Sequence, residues 1–169
     1  MGETRNDPAI RPPEMRTIWM RMFTRVLHSY FAIARGMTLG VRAACFDAEG
    51  RIFLVRHSYV AGWHMPGGGI ERSETADEAL AKELREEGNL EAVDPPRLLH
   101  VYFNSRTSGR DHVLFYRCDN VRQTAPKVGD REIVEARFFA LDALPDGVTS
   151  ATLRRLDEIA GRTPFAPLW

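Results

Sequence analysis

Residues Gly67–Leu90 read GGGIERSETADEALAKELREEGNL. The run opens with three glycines, which let backbone amides and carbonyls approach a ligand closely. Thr75 followed by Glu78 is the pattern of a capping box, so a helix is expected to begin there. Leu80 and Leu84 give that helix an apolar ridge, and Ala76 and Ala79 permit close packing. Glu83, Glu86 and Glu87 then follow at i, i+3 and i+4, on one side of the helix within roughly 100° of arc. Three like charges there repel one another. They are explained either by a solvated acidic face or by a cation that fills the gap between them. Placing the patch beside a buried ridge and behind a glycine turn favours the cation. Oxygen-only ligands suit Mg²⁺ or Mn²⁺ rather than Zn²⁺.

These residues resemble the Nudix box, G-x5-E-x7-R-E-(aliphatic)-x-E-E-x-G-(aliphatic). Gly68, Glu74, Glu83, Leu84, Glu86, Glu87 and Leu90 stand at the matching positions, and Trp63–Gly68 looks like the strand end that leads into the box. Two positions depart: Lys82 replaces the family's Arg, and Asn89 its Gly. Asn is the best non-glycine residue for a left-handed cap, so Asn89 is a mild change. Lys82 keeps a positive charge beside Glu83 but lacks the planar fork of Arg, and it is expected to orient that carboxylate less firmly.

The resemblance implies an α/β fold, the Nudix-type α/β/α sandwich on a mixed β-sheet, and a MutT-like hydrolase. It implies that Glu83, Glu86, Glu87 and a carbonyl of Gly67 or Gly68 hold Mg²⁺ or Mn²⁺, with Glu86 acting directly or through water. Glu74 is expected to brace the loop or pair with Lys82. The implied reaction is hydrolysis of a phosphoanhydride in a nucleoside diphosphate linked to another moiety. The general base is one of these glutamates or a carboxylate from a later loop, with Glu132 favoured over Asp130 and Glu135. Arg42, Arg56 and His57, near the box in sequence, are candidates to hold substrate phosphates. Trp63 and Phe103 are candidates to stack a base, although an aromatic in a strand is more often core. The competing reading is a non-catalytic Nudix module that senses a nucleotide, which three clustered carboxylates disfavour. Neither the downstream proline of ADP-ribose hydrolases nor the upstream motif of coenzyme A hydrolases is found. Oxidised nucleotides, nucleotide sugars, dinucleoside polyphosphates and capped RNA ends therefore stay open as substrates.

The rest of the 169-residue chain fits one globular domain, with 44% hydrophobic and 27% charged residues. Basic and acidic side chains number 23 each, so no net charge points to DNA or an acidic partner. Cys45 and Cys118 form no C-x-x-C and read as buried free thiols in a reducing cytoplasm. Residues 1–13 read as a flexible tail and 14–35 as an amphipathic helix. Residues 36–162 read as the Nudix domain and 163–169 as a C-terminal tail. The helix carries Met15, Ile18, Trp19, Met22, Phe23, Val26, Leu27, Tyr30 and Phe31 as an apolar stripe. Arg16, Arg21 and Arg25 interrupt it, so neither a membrane span nor a signal peptide is expected. Such a stripe is expected to dock on its own domain, to form a homodimer, or to lie on a membrane surface, with Trp19 and Phe23 at the centre of the contact.

Strands are expected at 39–46, 52–56, 60–65, 97–104, 112–118 and 133–139. A hairpin turn is expected at 47–50, a polar loop at 105–111 and loop-like chain over 119–131. A helical turn is expected at 141–144. A final helix at 150–159 is expected to point Leu153 and Leu156 inward.

Overall fold

Several strands of this chain are apolar at successive positions, and a strand can bury both faces only if something covers each of them. The computed structural model describes residues 36–105 and 109–169, together with residues 20, 22–27 and 30. Strand β1 (Thr38–Cys45) pairs in parallel with β6 (Asp111–Cys118), which pairs antiparallel with β5 (Arg97–Phe103). Strand β2 (Ile52–His57) pairs antiparallel with β3 (Trp63–His64) and β8 (Ile133–Phe139). A short ribbon joins β4 (Leu90–Ala92) to β7 (Val121–Gln123).

Helix α1 (Ala76–Gly88) covers one side. Its Ala79, Leu80 and Leu84 pack in one buried cluster with Val41, Ala43 and Cys45 of β1 and Phe53 and Val55 of β2. Helix α2 (Ser150–Ile159) covers the other. Its Leu156 joins Phe46 with the alternate residues of the same strands, Ala44, Ile52 and Leu54. The period-2 alternation of side chains thus feeds two cores from one set of strands, giving an α/β/α sandwich on one mixed and one antiparallel sheet.

Local chemistry fixes the ends of α1. Thr75 caps its first turn and Glu78 reaches back to the Thr75 N–H, closing the capping box. Asn89 ends the helix in the left-handed region, at φ 53° and ψ 39°. A left-handed cap at that point turns the chain out of the helix and directly into β4.

Several expectations are corrected. The Asp47–Gly50 turn does not form a hairpin ladder. Among the described residues a single bridge, Phe46 with Ile52, joins β1 to β2, and the strands then part to different partners. The strand expected over 60–65 is two residues long, because 58–62 form a loop. The segment 119–131 contains β7, a strand too short for periodicity to reveal. Leu153 is 43% exposed, whereas Arg155 and Glu158 of the same helix are buried. Arg155 pairs with Glu158 at 2.7 Å and lies over the Tyr102 ring at 3.9 Å. Glu158 also accepts the Tyr102 hydroxyl and the Ala166 N–H. The C-terminal residues are bonded to β5 through Phe103 N–H to the Pro167 carbonyl and Trp169 N–H to the Phe103 carbonyl.

Met1–Gly36 forms a unit separate from Met37–Trp169. Its described positions 20, 22–27 and 30 are helical, and Met22, Phe23, Val26 and Tyr30 are exposed. Met15, Ile18, Trp19, Phe31 and the tail over 1–13 lie outside the described residues, as do 106–108 of the polar loop. Among the described residues no helix is long and apolar enough to cross a membrane.

Candidate active site

The glycine turn lies along β1. Ala43 N–H bonds to the Pro66 carbonyl, Val41 N–H to the Gly68 carbonyl and Ile70 N–H to the Leu39 carbonyl, at 2.9–3.0 Å. Gly67 sits at φ 141°, and a Cβ there would collide with the Val41 carbonyl. At Gly68 a Cβ would occupy the place of the Glu83 carboxylate. Glycine at these two positions is what lets a sheet edge and a helix carboxylate meet without a side chain between them.

The three carboxylates differ in setting. Glu87 is 8% exposed; its Oε2 accepts the Gly67 N–H at 2.8 Å, and its Oε1 lies 3.6 Å from His57 Nε2. Burial pushes the Glu87 carboxyl up to about 7 against the pull of Arg42 and of its one hydrogen bond. Glu83 is half-buried and also raised, first by burial and then by the charge of Glu86. Glu86 is exposed. Among the described residues no three His, Cys, Asp or Glu side chains are already drawn in around one point. The acidic residues are neighbours without being a closed cage.

His57, expected among the phosphate-binding residues, is 6% exposed and turned toward Glu87. Neither ring nitrogen has a hydrogen-bond partner among the described residues. Burial, with the charges of Arg42 and His64, lowers its pKa to about 4, so the imidazole is neutral near pH 7. It therefore supplies no positive charge to offset Glu87. Arg42 does reach the cluster. Its guanidinium donates to the Met65 carbonyl at 2.8 Å, and its charge acts on Glu83, Glu87 and His57. Arg56 follows β2 with its side chain exposed; it pairs with Glu135 at 3.1 Å and lies over Trp63. No ion pair joins it to the box glutamates among the described residues. Trp63 is 6% exposed and belongs to the core.

Among the described residues the ion pairs of Lys82 are with Glu74 and Glu71, not with Glu83. Its Nζ pairs with Glu74 at 2.9 Å and lies 3.5 Å from Glu71, clamping the turn before α1 to the helix. Its charge reaches Glu83 through space and favours ionisation there. Glu74 of the box thus takes the cation that sequence adjacency places beside Glu83.

The later loop delivers Glu132. Asp130 Oδ1 accepts the N–H groups of Glu132 and Ile133, and its Oδ2 pairs with Lys127 at 2.6 Å. Lys127 also donates to the Glu86 carbonyl at 2.6 Å. These bonds hold the Asp130 carboxyl well below its ordinary range. Glu135 is paired with Arg56 and Arg137. Glu132 has no ion-pair partner among the described residues, and its charge acts on Glu87. Lys127 and Tyr59 are neighbours of the site that sequence reasoning missed. Lys127 lies in a segment without periodicity. Tyr59 immediately precedes the strand expected over 60–65 and carries no pattern of its own.

A cavity of about 740 Å³ lies elsewhere, lined by Phe46, Leu144, Leu153 and Leu156. The charged residues at its rim are paired, Arg117 with Asp119 and Arg162 with Asp157. Unpaired buried charge, not cavity size, therefore marks the candidate active site.

Residues 36–158 match the NUDIX domain family. A 58-residue stretch is 40% identical to the RNA pyrophosphohydrolase of Methylococcus capsulatus; it covers 34% of this chain and only 30% of that protein's length. The crystal structure of a MutT NUDIX hydrolase from Burkholderia pseudomallei superposes with a TM-score of 0.61. Identity is 24%, over 72% of this chain and 97% of that one. An ADP-ribose pyrophosphatase from Streptococcus suis superposes with a TM-score of 0.53. Identity is 26%, over 76% of this chain and 94% of that one.

Proposed function

This chain belongs to the NUDIX domain family, and from that premise we propose that it is a metal-dependent pyrophosphohydrolase. Its substrate is a nucleoside diphosphate linked to another moiety, and the bond cleaved is a phosphoanhydride. The observation that carries the reading is Glu87. This buried carboxylate has one N–H donor and a neutral histidine as neighbours, with Glu83 held against the adjacent glycine. Carboxylates so placed fit a hard divalent cation, which would relieve both raised pKa values. Glu83 and Glu87 would hold Mg²⁺ or Mn²⁺, with Glu86 as third ligand or through water. A carbonyl of the Gly67–Gly68 turn completes the set. The Gly68 carbonyl already accepts the Val41 N–H and has one lone pair left for such a role.

When bound, the ion neutralises charge on phosphate oxygens and lowers the pKa of a water. Arg42 supplies fixed positive charge on the same side, toward the substrate phosphates. Glu132 is the favoured general base, since Asp130 and Glu135 are engaged elsewhere. Lys82 is a positioning residue: it clamps the turn through Glu74, and its charge acts on Glu83 through space. The free thiols of Cys45 and Cys118, register partners on β1 and β6, suit a reducing cytoplasm.

The test is hydrolysis of a panel: nucleotide sugars, ADP-ribose, dinucleoside polyphosphates, oxidised nucleotides and 5′-triphosphorylated RNA. Both products are identified, with Mg²⁺, with Mn²⁺ and with a chelator. Turnover that vanishes in chelator and returns with either ion is expected. Undiminished turnover in chelator overturns the reading. Nucleotide binding without turnover on any substrate supports a sensor instead.

A further inference from the structure

The loop Ser58–Gly62 leaves β2 beside the carboxylates and is pinned at three points. Ser58 donates its N–H to the Glu132 carbonyl at 2.8 Å and its hydroxyl to the Arg131 carbonyl at 2.6 Å. The Ala61 carbonyl lies 3.1 Å from His64 Nε2. Gly62, at φ 95°, approaches Gly147 so closely that a Cβ would collide with its carbonyl, and the next residue, Trp63, bonds to both Gly147 and Thr149. A loop held this firmly nevertheless turns an aromatic outward. Tyr59 is 73% exposed.

The place of that ring is what matters. Tyr59 lies with its centroid 5.1 Å from the ring of His57, at an interplanar angle of 39°. His57 Nε2 is in turn 3.6 Å from the Glu87 carboxylate. One imidazole therefore separates the exposed ring from the hydrolytic centre. The charges of Glu87, Arg42, Glu132 and Glu83 all act on its hydroxyl. The two aromatics that sequence offers as base platforms are otherwise engaged: Trp63 is in the core, and Phe103 packs on His112.

We propose that Tyr59 is a specificity-determining residue, the platform on which the nucleobase of the substrate stacks while its phosphates reach Glu83 and Glu87. The ligand class is a planar heteroaromatic ring carried on a diphosphate. Stacking on an aromatic side chain tolerates different bases, because each has a π-face. Tyr59 alone thus favours nucleotides over base-free phosphoanhydrides without choosing among bases. The pinned loop keeps the ring presented before substrate arrives, which limits the entropy lost on binding.

The inference rests on the pyrophosphohydrolase reading for its substrate, so the test separates the two. Equilibrium binding of ADP and of inorganic pyrophosphate, each with Mg²⁺, is measured by calorimetry for wild type, Tyr59→Ala and Tyr59→Phe. Tyr59→Ala should weaken ADP at least tenfold and leave pyrophosphate within twofold. Tyr59→Phe should keep the wild-type affinity for both. On whichever nucleotide the wild type hydrolyses, the loss in Tyr59→Ala should fall on KM rather than kcat. Unchanged ADP binding in Tyr59→Ala overturns the proposal. So does an equal loss for pyrophosphate, a loss in Tyr59→Phe as large as in Tyr59→Ala, or a wild type that binds no ADP. A wild type that binds ADP through Tyr59 but hydrolyses nothing leaves this inference standing and removes the enzymatic one.

Discussion

Two helices of this fold each bury a glutamate, and the two are treated in opposite ways. Glu158 on α2 is 5% exposed and meets Arg155, the Tyr102 hydroxyl and the Ala166 N–H. Glu87 on α1 is 8% exposed and meets one N–H and a neutral imidazole. A buried charge is tolerable when paired and hydrogen-bonded, and costly when it is not. The first arrangement is complete within the chain and serves the fold. The second has no such cation among the described residues, and burial raises its carboxyl to about 7. The contrast is what supports placing the proposed function at Glu87, which has no cationic partner at bonding distance among the described residues.

The largest effect should come from breaking the complete pair. Arg155→Met leaves Glu158 buried without its counter-ion and should destabilise the fold by about 3–5 kcal/mol, read as a lower urea midpoint. Turnover of the remaining folded fraction should stay near wild type. A variant as stable as wild type would show that Arg155 does not neutralise Glu158.

Breaking the incomplete site should do the reverse. Glu87→Gln should lower kcat at least ~100-fold, about 2.7 kcal/mol of transition-state stabilisation, while stability in chelator holds or rises. Loss of folding in step with activity would make Glu87 another structural carboxylate.

The pH dependence of stability sharpens the contrast further. The folded pKa of Glu87 is raised from 4.5 to about 7. Its contribution is therefore full below about pH 4.5 and is lost as pH rises to about 7. The folded pKa of His57 is lowered from 6.5 to about 4. Its contribution is full above about pH 6.5 and is lost as pH falls to about 4. Across the overlap the two slopes oppose each other. In chelator, Glu87→Gln should expose the histidine slope, stability rising with pH by about 1.4 kcal/mol per unit. His57→Gln should expose the opposite one. Urea midpoints at half-unit pH steps decide it; variants that share the wild-type profile contradict the assignment.

Lys82 gives the smallest effect. It clamps Glu74 and touches Glu83 only through its field. Lys82→Ala should lower kcat by about tenfold or less, near 1.4 kcal/mol, and Lys82→Arg should restore it because Arg still pairs with Glu74. Wild-type kinetics in Lys82→Ala would remove the clamp from the mechanism.

Much of this was legible in sequence where the physics is local. The capping box at Thr75 and Glu78 and the left-handed Asn89 depend on spacings of a few residues, and both are found. What depends on register between distant strands was not legible. Cys45 and Cys118, far apart in the chain, are neighbours because β1 and β6 run in parallel. The pairing of Lys82 with Glu74 was one of the two expectations for Glu74, whereas its added reach to Glu71 follows from how the turn folds back on α1. Arg155 and Glu158 look like solvated charges on an amphipathic helix, and only the arrival of Tyr102 and Trp169 encloses them. Tyr59 carries no pattern at all; its role comes from a loop pinned by Glu132 and Gly147.

The central claim, that Glu87 is unpaired because its partner is a divalent cation, is tested most directly by calorimetric titration of Mn²⁺ at pH 7.5. Wild type, Glu87→Gln and Glu158→Gln are compared, with each variant first checked to be folded. Binding to wild type, at least tenfold weaker binding to Glu87→Gln and unchanged binding to Glu158→Gln are predicted. No binding to wild type, or equal binding to wild type and Glu87→Gln, would contradict it.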